Sequence, residues 1–250
     1  MNATTLPNFH VFTSTQSLSA ALGAYIVQQA ATAVAQRGRF TVAFSGGSLP
    51  SLASAALTQA PLRDRVDWAA WQLFFADERC VPLTDAESNY RLVQAELLQK
   101  ASIPPEQVYT IQPELDPAVA AQAYQAALAQ SFQTQPPDRP HFDLILLGMG
   151  PDGHTASLFP HHPLLYETSA WVAPIFDSPK PPPERITLTL PVFNAARAVA
   201  FVITGASKAQ ALVQVFEPQT SWGETPAGLV RPTAGELVWF VDEAAAALVK

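Results

Sequence analysis

Cysteine and basic residues are both scarce in this chain. Cys80 is the only cysteine, so an intramolecular disulfide is excluded and a cysteine-based metal site is disfavoured. The 250 residues include 14 lysines and arginines against 21 aspartates and glutamates, a net charge of −7. Without a basic surplus to neutralise phosphates, we expect neither a nucleic-acid nor a membrane partner. An anionic ligand would therefore need a local cationic site.

Targeting segments are also missing from the sequence. Residues 1–10 lack the basic region and apolar core of a signal peptide. No apolar run approaches the length of a membrane span. With 48% hydrophobic and 14% charged residues, the chain can bury a sizeable core. We expect a soluble, cytoplasmic protein.

Predicted strands and helices alternate along the chain. Strands are predicted at residues 9–13, 39–44, 71–75, 142–147, 171–173, 185–190, 198–204 and 237–241. Helices are predicted at residues 17–36, 50–57, 88–98, 117–130 and 208–216 and after Asp242, with Ser48 as the N-cap of the second. This order predicts an α/β fold with a mostly parallel open sheet and helices on both faces. Residues 1–250 are predicted to form a single domain.

A loop and a strand are predicted around residue 180. Residues 178–183 contain four prolines, which is typical of an exposed loop. Residues 185–190 alternate polar and apolar side chains, which predicts a strand with one polar face.

The most informative stretch follows the apolar run at residues 142–147. Glycines and a proline end the predicted strand, and Asp152 and His154 come directly afterwards. Ligands bind at the carboxyl ends of strands in open parallel sheets. A histidine two residues from an aspartate at such an end is a candidate general base with its orienting partner.

Two other interpretations of this stretch remain. His154 could be a loop histidine bound to a backbone carbonyl. Gly148, Gly150 and Gly153 also match the G-x-G-x-x-G pattern of dinucleotide-binding folds. Pro151 lies inside that pattern and Pro160 shortens the following segment, so the usual crossover helix cannot form.

Residues 45–48, Ser-Gly-Gly-Ser, lie between a predicted strand and a predicted helix. Paired glycines let backbone N–H groups approach an oxyanion, and the helix N-terminus adds about half a positive charge. An ordinary strand-to-helix turn is an equally good interpretation. The segment lacks the lysine of a nucleotide P-loop, so a monophosphate fits better than a triphosphate.

Three basic residues lie at the ends of predicted strands: Arg79, Arg185 and Lys208. Each alone would be interpreted as a solvated surface group. Together, in a chain with so few cations, they suggest a convergent pocket for phosphate or a developing oxyanion. Glu78 is expected to be the ion-pair partner of Arg79.

Metal and serine chemistry are disfavoured. His161 and His162 are neighbours in a predicted extended segment, so their side chains point opposite ways. No acidic–histidine helical motif accompanies them. No Gly-x-Ser-x-Gly nucleophile elbow is present either. We expect no metal.

Seven motifs, in this order, resemble those of the family that contains the 6-phosphogluconolactonases and the glucosamine-6-phosphate deaminase/isomerases. They lie at residues 45–48, 76–82, 88–90, 148–160, 185–187, 205–208 and 239–242. Leu49 departs from the family, which often has threonine before this proline. The resemblance implies a modified Rossmann-like fold. It also implies hydrolysis of 6-phospho-D-glucono-1,5-lactone to 6-phosphogluconate in the oxidative pentose phosphate pathway.

The residues and the resemblance together indicate roles within the site. His154, positioned by Asp152, is expected to be the general base, and Arg79 to stabilise the oxyanion, with backbone N–H groups of residues 150–153 as competitors. The expected phosphate-binding residues are Ser45, Gly46, Gly47, Ser48, Arg185 and Lys208. Candidates for substrate contact are Asp77, Asn89, Gly150 and Gly153. No cofactor is expected, because ester hydrolysis is not redox chemistry, and we expect a monomer.

One position separates the two branches of the family. The deaminases carry a glutamate that partners the histidine, where this chain has Phe159. A phenyl ring cannot relay protons, so the lactonase branch is favoured. A deaminase/isomerase and a non-catalytic sugar-phosphate sensor remain alternatives.

Overall fold

The computed structural model describes residues 8–216 and 225–249. Residues 1–7, on which much of the prediction about a signal peptide rests, lie outside the described residues, as do residues 217–224 and Lys250.

The described elements follow the predicted alternation of strands and helices. The strands are β1 (Phe9–Phe12), β2 (Phe40–Phe44), β3 (Trp71–Phe75), β4 (Asp77–Arg79), β5 (Leu144–Leu147), β6 (Val172–Ile175), β7 (Arg185–Leu188), β8 (Ala198–Ile203) and β9 (Glu236–Asp242). The α-helices are α1 (Thr15–Arg37), α2 (Leu49–Leu57), α3 (Asn89–Val93), α4 (Pro117–Phe132), α5 (Leu190–Ala195), α6 (Ala209–Phe216), α7 (Pro226–Leu229) and α8 (Glu243–Ala246). Short 3₁₀ turns lie at Arg63–Arg65, Trp68–Ala70, Pro105–Gln107, Pro163–Tyr166 and Ala206–Lys208.

Six strands form one parallel sheet in the order β1-β9-β8-β5-β2-β3. Strands β2 and β5 lie inside this sheet, where successive side chains alternate between two buried faces. Val42 and Leu144 belong to the core on one face, and Ala43 and Ile145 to the core on the other. Helices α1 and α2 pack on the first face, and α4 and α6 on the second. The predicted α/β fold with a mostly parallel sheet is confirmed.

A second, antiparallel sheet in the order β4-β7-β6 was not predicted. Asp77–Arg79 forms its edge strand and pairs with Arg185, Ile186 and Thr187 of β7. Strand β7 has the predicted polar face, but that face is buried, since Arg185 is 3% exposed and Thr187 is fully buried. Both polar side chains instead take part in buried hydrogen bonds close to the site described below.

Two helix predictions need adjustment, and a third is confirmed. The segment predicted as one helix at residues 88–98 is α-helical only over Asn89–Val93 and continues as a π-helix over Gln94–Leu98. Ser48 precedes α2 but has helical backbone angles, and its hydroxyl does not cap the helix. Asp242 caps α8 as predicted, since its side chain accepts from the Ala245 amide at 2.8 Å.

Helix α1 is long and apolar enough, by length and composition alone, to cross a membrane. This differs from the expectation that no apolar run has that length. Its buried side includes Leu18, Leu22 and Ile26, which belong to the core on one face of the sheet. The apolar side chains of α1 therefore have a packing role within the described fold.

Candidate active site

A cavity of about 220 Å³ lies at the carboxyl ends of β2, β3, β5 and β8. Parallel strands deliver the segments that follow them to the same edge of a sheet. Ten of the predicted site residues line this cavity: Ser45, Gly46, Gly47, Ser48, Asp77, Arg79, Gly150, His154, Arg185 and Lys208. Asp152, Asn89 and Gly153 do not line it.

His154 and Asp152 form a close pair in the turn after β5. The His154 Nδ1 atom lies 2.5 Å from Asp152 Oδ1. The ring packs against the backbone of Gly150, where a Cβ atom would fall 2.0 Å from it, so only glycine fits. Among residues 8–216 and 225–249, His154 Nε2 has no hydrogen-bond partner, which leaves that nitrogen for a water or a substrate.

Asp152 is held in its charged form by its neighbours. Partial burial alone would raise its pKa, but the hydrogen bond with His154 and the charge of Lys180 together lower the pKa well below its usual range. A carboxylate that stays charged can accept a hydrogen bond from the Nδ1–H group of His154 and so orient the ring.

Lys180 is a member of the site that sequence reasoning missed. Its Nζ atom lies 3.0 Å from His154 Nδ1 and 3.4 Å from Asp152 Oδ1. Residues 178–183 were interpreted as an exposed loop because of their prolines, but they fold back so that Lys180 lines the cavity. The sequence did contain one indication of this role, since Lys180 is one of only 14 basic residues and lies in a stiff, proline-rich segment.

The Ser-Gly-Gly-Ser turn presents unpaired backbone donors to the cavity. In the described part of the chain, the amides of Gly46, Gly47 and Ser48 have no hydrogen-bond acceptor. Gly47 has a φ of +73°, in the left-handed region that favours glycine. A Cβ atom at Gly46 would lie 2.1 Å from Asn89 Oδ1, so the turn can pack this closely only with glycine. Three convergent N–H groups suit a phosphate.

Asp77 and Asn89 support this turn from behind. Asp77 Oδ1 accepts from the Ser45 hydroxyl at 3.0 Å, and Oδ2 accepts from Ser157 at 2.7 Å. Asn89 donates to the Asp77 carbonyl at 2.8 Å. Asp77 is 4% exposed, and its charge is balanced by these neutral donors. Its geometry is that of a brace between the turn after β2 and the segment after β5.

Glu78 does not pair with Arg79, so that prediction is wrong. Its carboxylate accepts from the backbone amides of Arg79, Asn89 and Tyr90, at 2.7 to 2.8 Å. Burial raises its pKa against the opposing effect of these hydrogen bonds. Glu78 thus fixes the start of α3, because α3 begins at Asn89.

Arg79 keeps donors available for a ligand. Its Nη1 donates to the Glu87 carbonyl at 2.5 Å, and Glu87 Oε2 lies 3.7 Å away. Its Nε is buried and has no hydrogen-bond partner within the described residues. Because Nε is out of contact with solvent, a ligand in the cavity would meet the other nitrogens of the guanidinium.

The Arg185 guanidinium makes more hydrogen bonds to the protein than its predicted role in phosphate binding implies. Its guanidinium donates to the carbonyls of Lys180, Pro181 and Pro182, at 2.8 to 3.1 Å, and to the Ser157 hydroxyl at 3.3 Å. Four of the five N–H groups of an arginine are thereby occupied. Burial lowers the pKa of Arg185, with the charge of Asp77 opposing that shift.

Lys208 lines the cavity beside the start of α6. Burial, followed by the charge of Lys180, lowers its pKa, and the charge of Asp152 partly opposes this. A cation that is partly desolvated and close to another cation is stabilised when an anion binds.

Phe159 lies where the deaminase branch has a glutamate. Its ring is 2% exposed and lies 4.9 Å from the His154 ring, centroid to centroid. The Arg185 guanidinium lies 5.7 Å from the centroid of the Phe159 ring. The side of the His154 ring that faces Phe159 is therefore in an apolar environment.

Other candidates for chemistry lie apart. Among the described residues, no three histidine, cysteine or acidic side chains converge as metal ligands. His162 instead pairs with Asp177, Nε2 to Oδ1, at 3.1 Å. Burial, with nearby Glu184 and Glu78, raises the pKa of the Cys80 thiol to about 12, so it is a poor nucleophile near neutral pH.

Comparison with known proteins agrees across sequence and structure. Residues 13–239 match the family described as glucosamine-6-phosphate isomerases/6-phosphogluconolactonase. The chain is 51% identical to a 6-phosphogluconolactonase from Homo sapiens, over 96% of this chain and 92% of the human protein. It superposes on the 6-phosphogluconolactonase from Trypanosoma cruzi with a TM-score of 0.86 and 28% identity, covering 98% and 97% of the two chains. A monomeric glucosamine-6-phosphate deaminase shares the fold, with a TM-score of 0.78 at 16% identity, covering 96% and 99% of the chains.

Proposed function

Because the chain belongs to the glucosamine-6-phosphate isomerase/6-phosphogluconolactonase family, we propose that it hydrolyses 6-phospho-D-glucono-1,5-lactone to 6-phosphogluconate. The observation that carries the proposal is the His154–Asp152 pair beside an apolar Phe159, in a cavity lined by cations. This activity places the protein in the oxidative pentose phosphate pathway. We propose further that it acts as a monomeric single domain in the cytoplasm, without a cofactor.

The phosphate of the substrate is bound but does not react. Gly46, Gly47 and Ser48, whose amides have no acceptor among the described residues, line the cavity after β2, and Lys208 lines it after β8. We assign the phosphate to this cradle, with the hydroxyls of Ser45 and Ser48 at its edge. Binding energy from this remote group orients the lactone carbonyl toward His154.

The ester is opened by water. Asp152 accepts a hydrogen bond from the Nδ1–H group of His154, so the lone pair is on Nε2. This nitrogen removes a proton from the attacking water. The new C–O bond gives a tetrahedral oxyanion, for which the guanidinium of Arg79, a residue of the cavity lining, is the proposed donor. Collapse breaks the bond to the ring oxygen, which receives the proton from His154. The product is the open-chain acid.

The surroundings of His154 favour this reaction over amino-sugar deamination. A deaminase needs a second proton carrier beside the histidine. Phe159 occupies that side of the ring and cannot exchange a proton.

The test is hydrolysis of freshly made 6-phosphogluconolactone, corrected for spontaneous opening, by the wild type and by His154→Ala. We expect kcat to fall roughly 10²–10⁴-fold in the variant, with a smaller change in KM. His162→Ala is the matched control, because this histidine pairs with Asp177 and does not line the cavity. It should retain full activity.

Three results would contradict parts of the proposal. If His154→Ala raised KM and left kcat unchanged, His154 would not be the general base. Ammonia release from glucosamine 6-phosphate would assign the chain to the deaminase branch. Tight binding of a sugar phosphate with neither reaction would indicate a sensor.

A further inference from the structure

Lys180 has no role in the reaction as described, although its ammonium lies within hydrogen-bond distance of the His154 ring. Its Nζ atom is 3.0 Å from Nδ1 and 3.4 Å from Asp152 Oδ1. Both side chains are about one-third exposed, at 38% for Lys180 and 37% for Asp152. A charge at this distance affects which protonation state of the ring is favoured.

The protons of this group can be assigned from the distances. An imidazole nitrogen either carries a proton or accepts one. Asp152 Oδ1, a charged acceptor, lies 2.5 Å from Nδ1, so Nδ1 carries the proton and donates it. Lys180 then cannot donate to Nδ1 and donates instead to Asp152 Oδ1. One carboxylate oxygen is thus shared by the ring N–H and the ammonium.

This sharing has an electrostatic consequence. Asp152 alone orients the ring, but its charge also favours a positively charged imidazolium, which cannot act as a base. The Lys180 ammonium disfavours a second positive charge on the ring. The other charged residues that line the cavity with His154 are Arg79, Arg185 and Lys208, which have the same sign as Lys180, and Asp77, which is hydrogen-bonded to Ser45 and Ser157.

The position of Lys180 is set by its own loop and by Arg185. The Arg185 guanidinium donates to three consecutive carbonyls, those of Lys180, Pro181 and Pro182. The Ser178 hydroxyl donates to the Lys180 carbonyl at 2.8 Å, and the Ser178 amide donates to the Pro183 carbonyl at 3.1 Å. Arg185 itself is 3% exposed and anchored in β7. The backbone that carries Lys180 is therefore held against the small sheet.

We infer that Lys180 is a positioning residue that keeps His154 neutral while Asp152 orients it, and that Arg185 holds the Lys180 loop in place. This inference rests on the proposed function, because only a base must be neutral to act. It assigns Arg185 primarily to the loop rather than to the phosphate.

The experiment measures kcat and KM across pH for the wild type, Lys180→Met and Lys180→Arg. Methionine keeps the apolar stem of the lysine and removes the charge. We expect the acidic limb of the kcat profile of Lys180→Met to move up by about one pH unit, so that kcat is about tenfold lower on that limb. The defect should vanish at higher pH, KM should change little, and Lys180→Arg should restore the profile.

Lys100→Met is the matched control. Lys100 is an exposed lysine paired with Glu96 and does not line the cavity. Its profile should coincide with that of the wild type. A pH-independent rise in KM for Lys180→Met would overturn the inference by making Lys180 a substrate contact. An unchanged profile would overturn it as well.

A second measurement separates this inference from the proposed function. ¹⁵N NMR of the imidazole reports the fraction of His154 rings that are charged, without any turnover. That fraction should rise in Lys180→Met at neutral pH. If the wild type fails to hydrolyse the lactone but the fraction rises, the proposed function fails and the positioning role stands. If the wild type hydrolyses the lactone and the fraction is unchanged, the positioning role fails alone.

The role of Arg185 is tested by Arg185→Lys, which keeps a charge and loses the forked donors. The inference predicts the same shift of the acidic limb as in Lys180→Met, on the phosphorylated lactone and on gluconolactone without phosphate. A loss confined to the phosphorylated lactone would return Arg185 to phosphate binding. If Arg185→Lys is poorly folded, the Lys180 variants still decide the main inference.

Discussion

Basic side chains gather at both ends of the parallel sheet, and the two groups are bound differently. At the carboxyl end, Arg79, Lys180, Arg185 and Lys208 line the candidate active site. At the amino end, Arg37, Arg39, Arg139 and Arg197 line another cavity, of about 300 Å³, together with His141 and Asp143. These eight residues are more than half of the 14 lysines and arginines in the chain.

The difference lies in which groups the carboxylates bind. At the amino end, buried Asp143 accepts from Arg37 Nε at 2.9 Å and lies 3.5 Å from Arg197 Nε. At the carboxyl end, Asp77 and Glu78 are satisfied by hydroxyl, amide and backbone donors. Two of the active-site cations also lie near carboxylates, Lys180 beside Asp152 and Arg79 beside Glu87, but both of those carboxylates are more than one-third exposed, whereas Asp143 is buried. Clustering of basic residues alone does not identify a binding site, whereas the burial of their carboxylate partners separates the two clusters.

The largest effect on stability is expected from Asp143→Ala. The Asp143 carboxylate also accepts from the Thr41 amide at 2.8 Å and from the Thr41 hydroxyl at 2.9 Å. Removing it leaves a buried amide without an acceptor and two arginines without their partner. We expect the free energy of unfolding to fall by about 3 kcal/mol in urea titrations.

Activity per folded molecule should be unchanged in Asp143→Ala, because the site lies at the other end of the sheet. Asp64→Ala is the control, since Asp64 is exposed and pairs only with its neighbour Arg63. It should change stability by less than about 0.5 kcal/mol. A fully stable Asp143→Ala would show that the amino-end arginines do not depend on this carboxylate.

A smaller effect, on substrate binding instead of stability, is expected from Lys208→Ala at the carboxyl end. Burial and Lys180 already disfavour the charge of Lys208, so removing it should not destabilise the fold. KM for the phosphorylated lactone should rise about tenfold, equivalent to about 1.4 kcal/mol of binding. Gluconolactone without phosphate should show no such rise. An equal effect on both lactones would place Lys208 away from the phosphate.

The smallest effect is expected from Arg197→Ala. Its side chain is 49% exposed and lies farther from Asp143 than Arg37 does. We expect less than about 1 kcal/mol of destabilisation, decreasing further at high salt, with unchanged kcat and KM. A substantial loss of activity would contradict the distinction between the two ends. Urea titrations at low and high salt, with the lactone assay, measure both properties.

Much of the fold was predictable because its strands are continuous apolar runs and its helices are regular. The run at residues 142–147 predicted β5 within two residues, and Asp242 was recognised as a helix cap. The antiparallel sheet was not predicted, because Asp77–Arg79 is polar and short and is a strand only through its pairing with β7. Arg185 and Thr187 were correctly predicted on one polar face, but its burial was not predicted, since periodicity cannot tell solvent from a buried polar network.

The local sequence by itself determined which residues carry chemistry and where the backbone turns. Gly47 has a positive φ and Gly150 lies against His154, so those two requirements are local, whereas Gly46 is required by its tertiary contact with Asn89. Tertiary structure decided which charges meet. Lys180 reaches His154 across 26 residues, and Asp143 meets Arg37 across 106. Electrostatic partners are set by distance in space, and a single sequence contains no record of that distance.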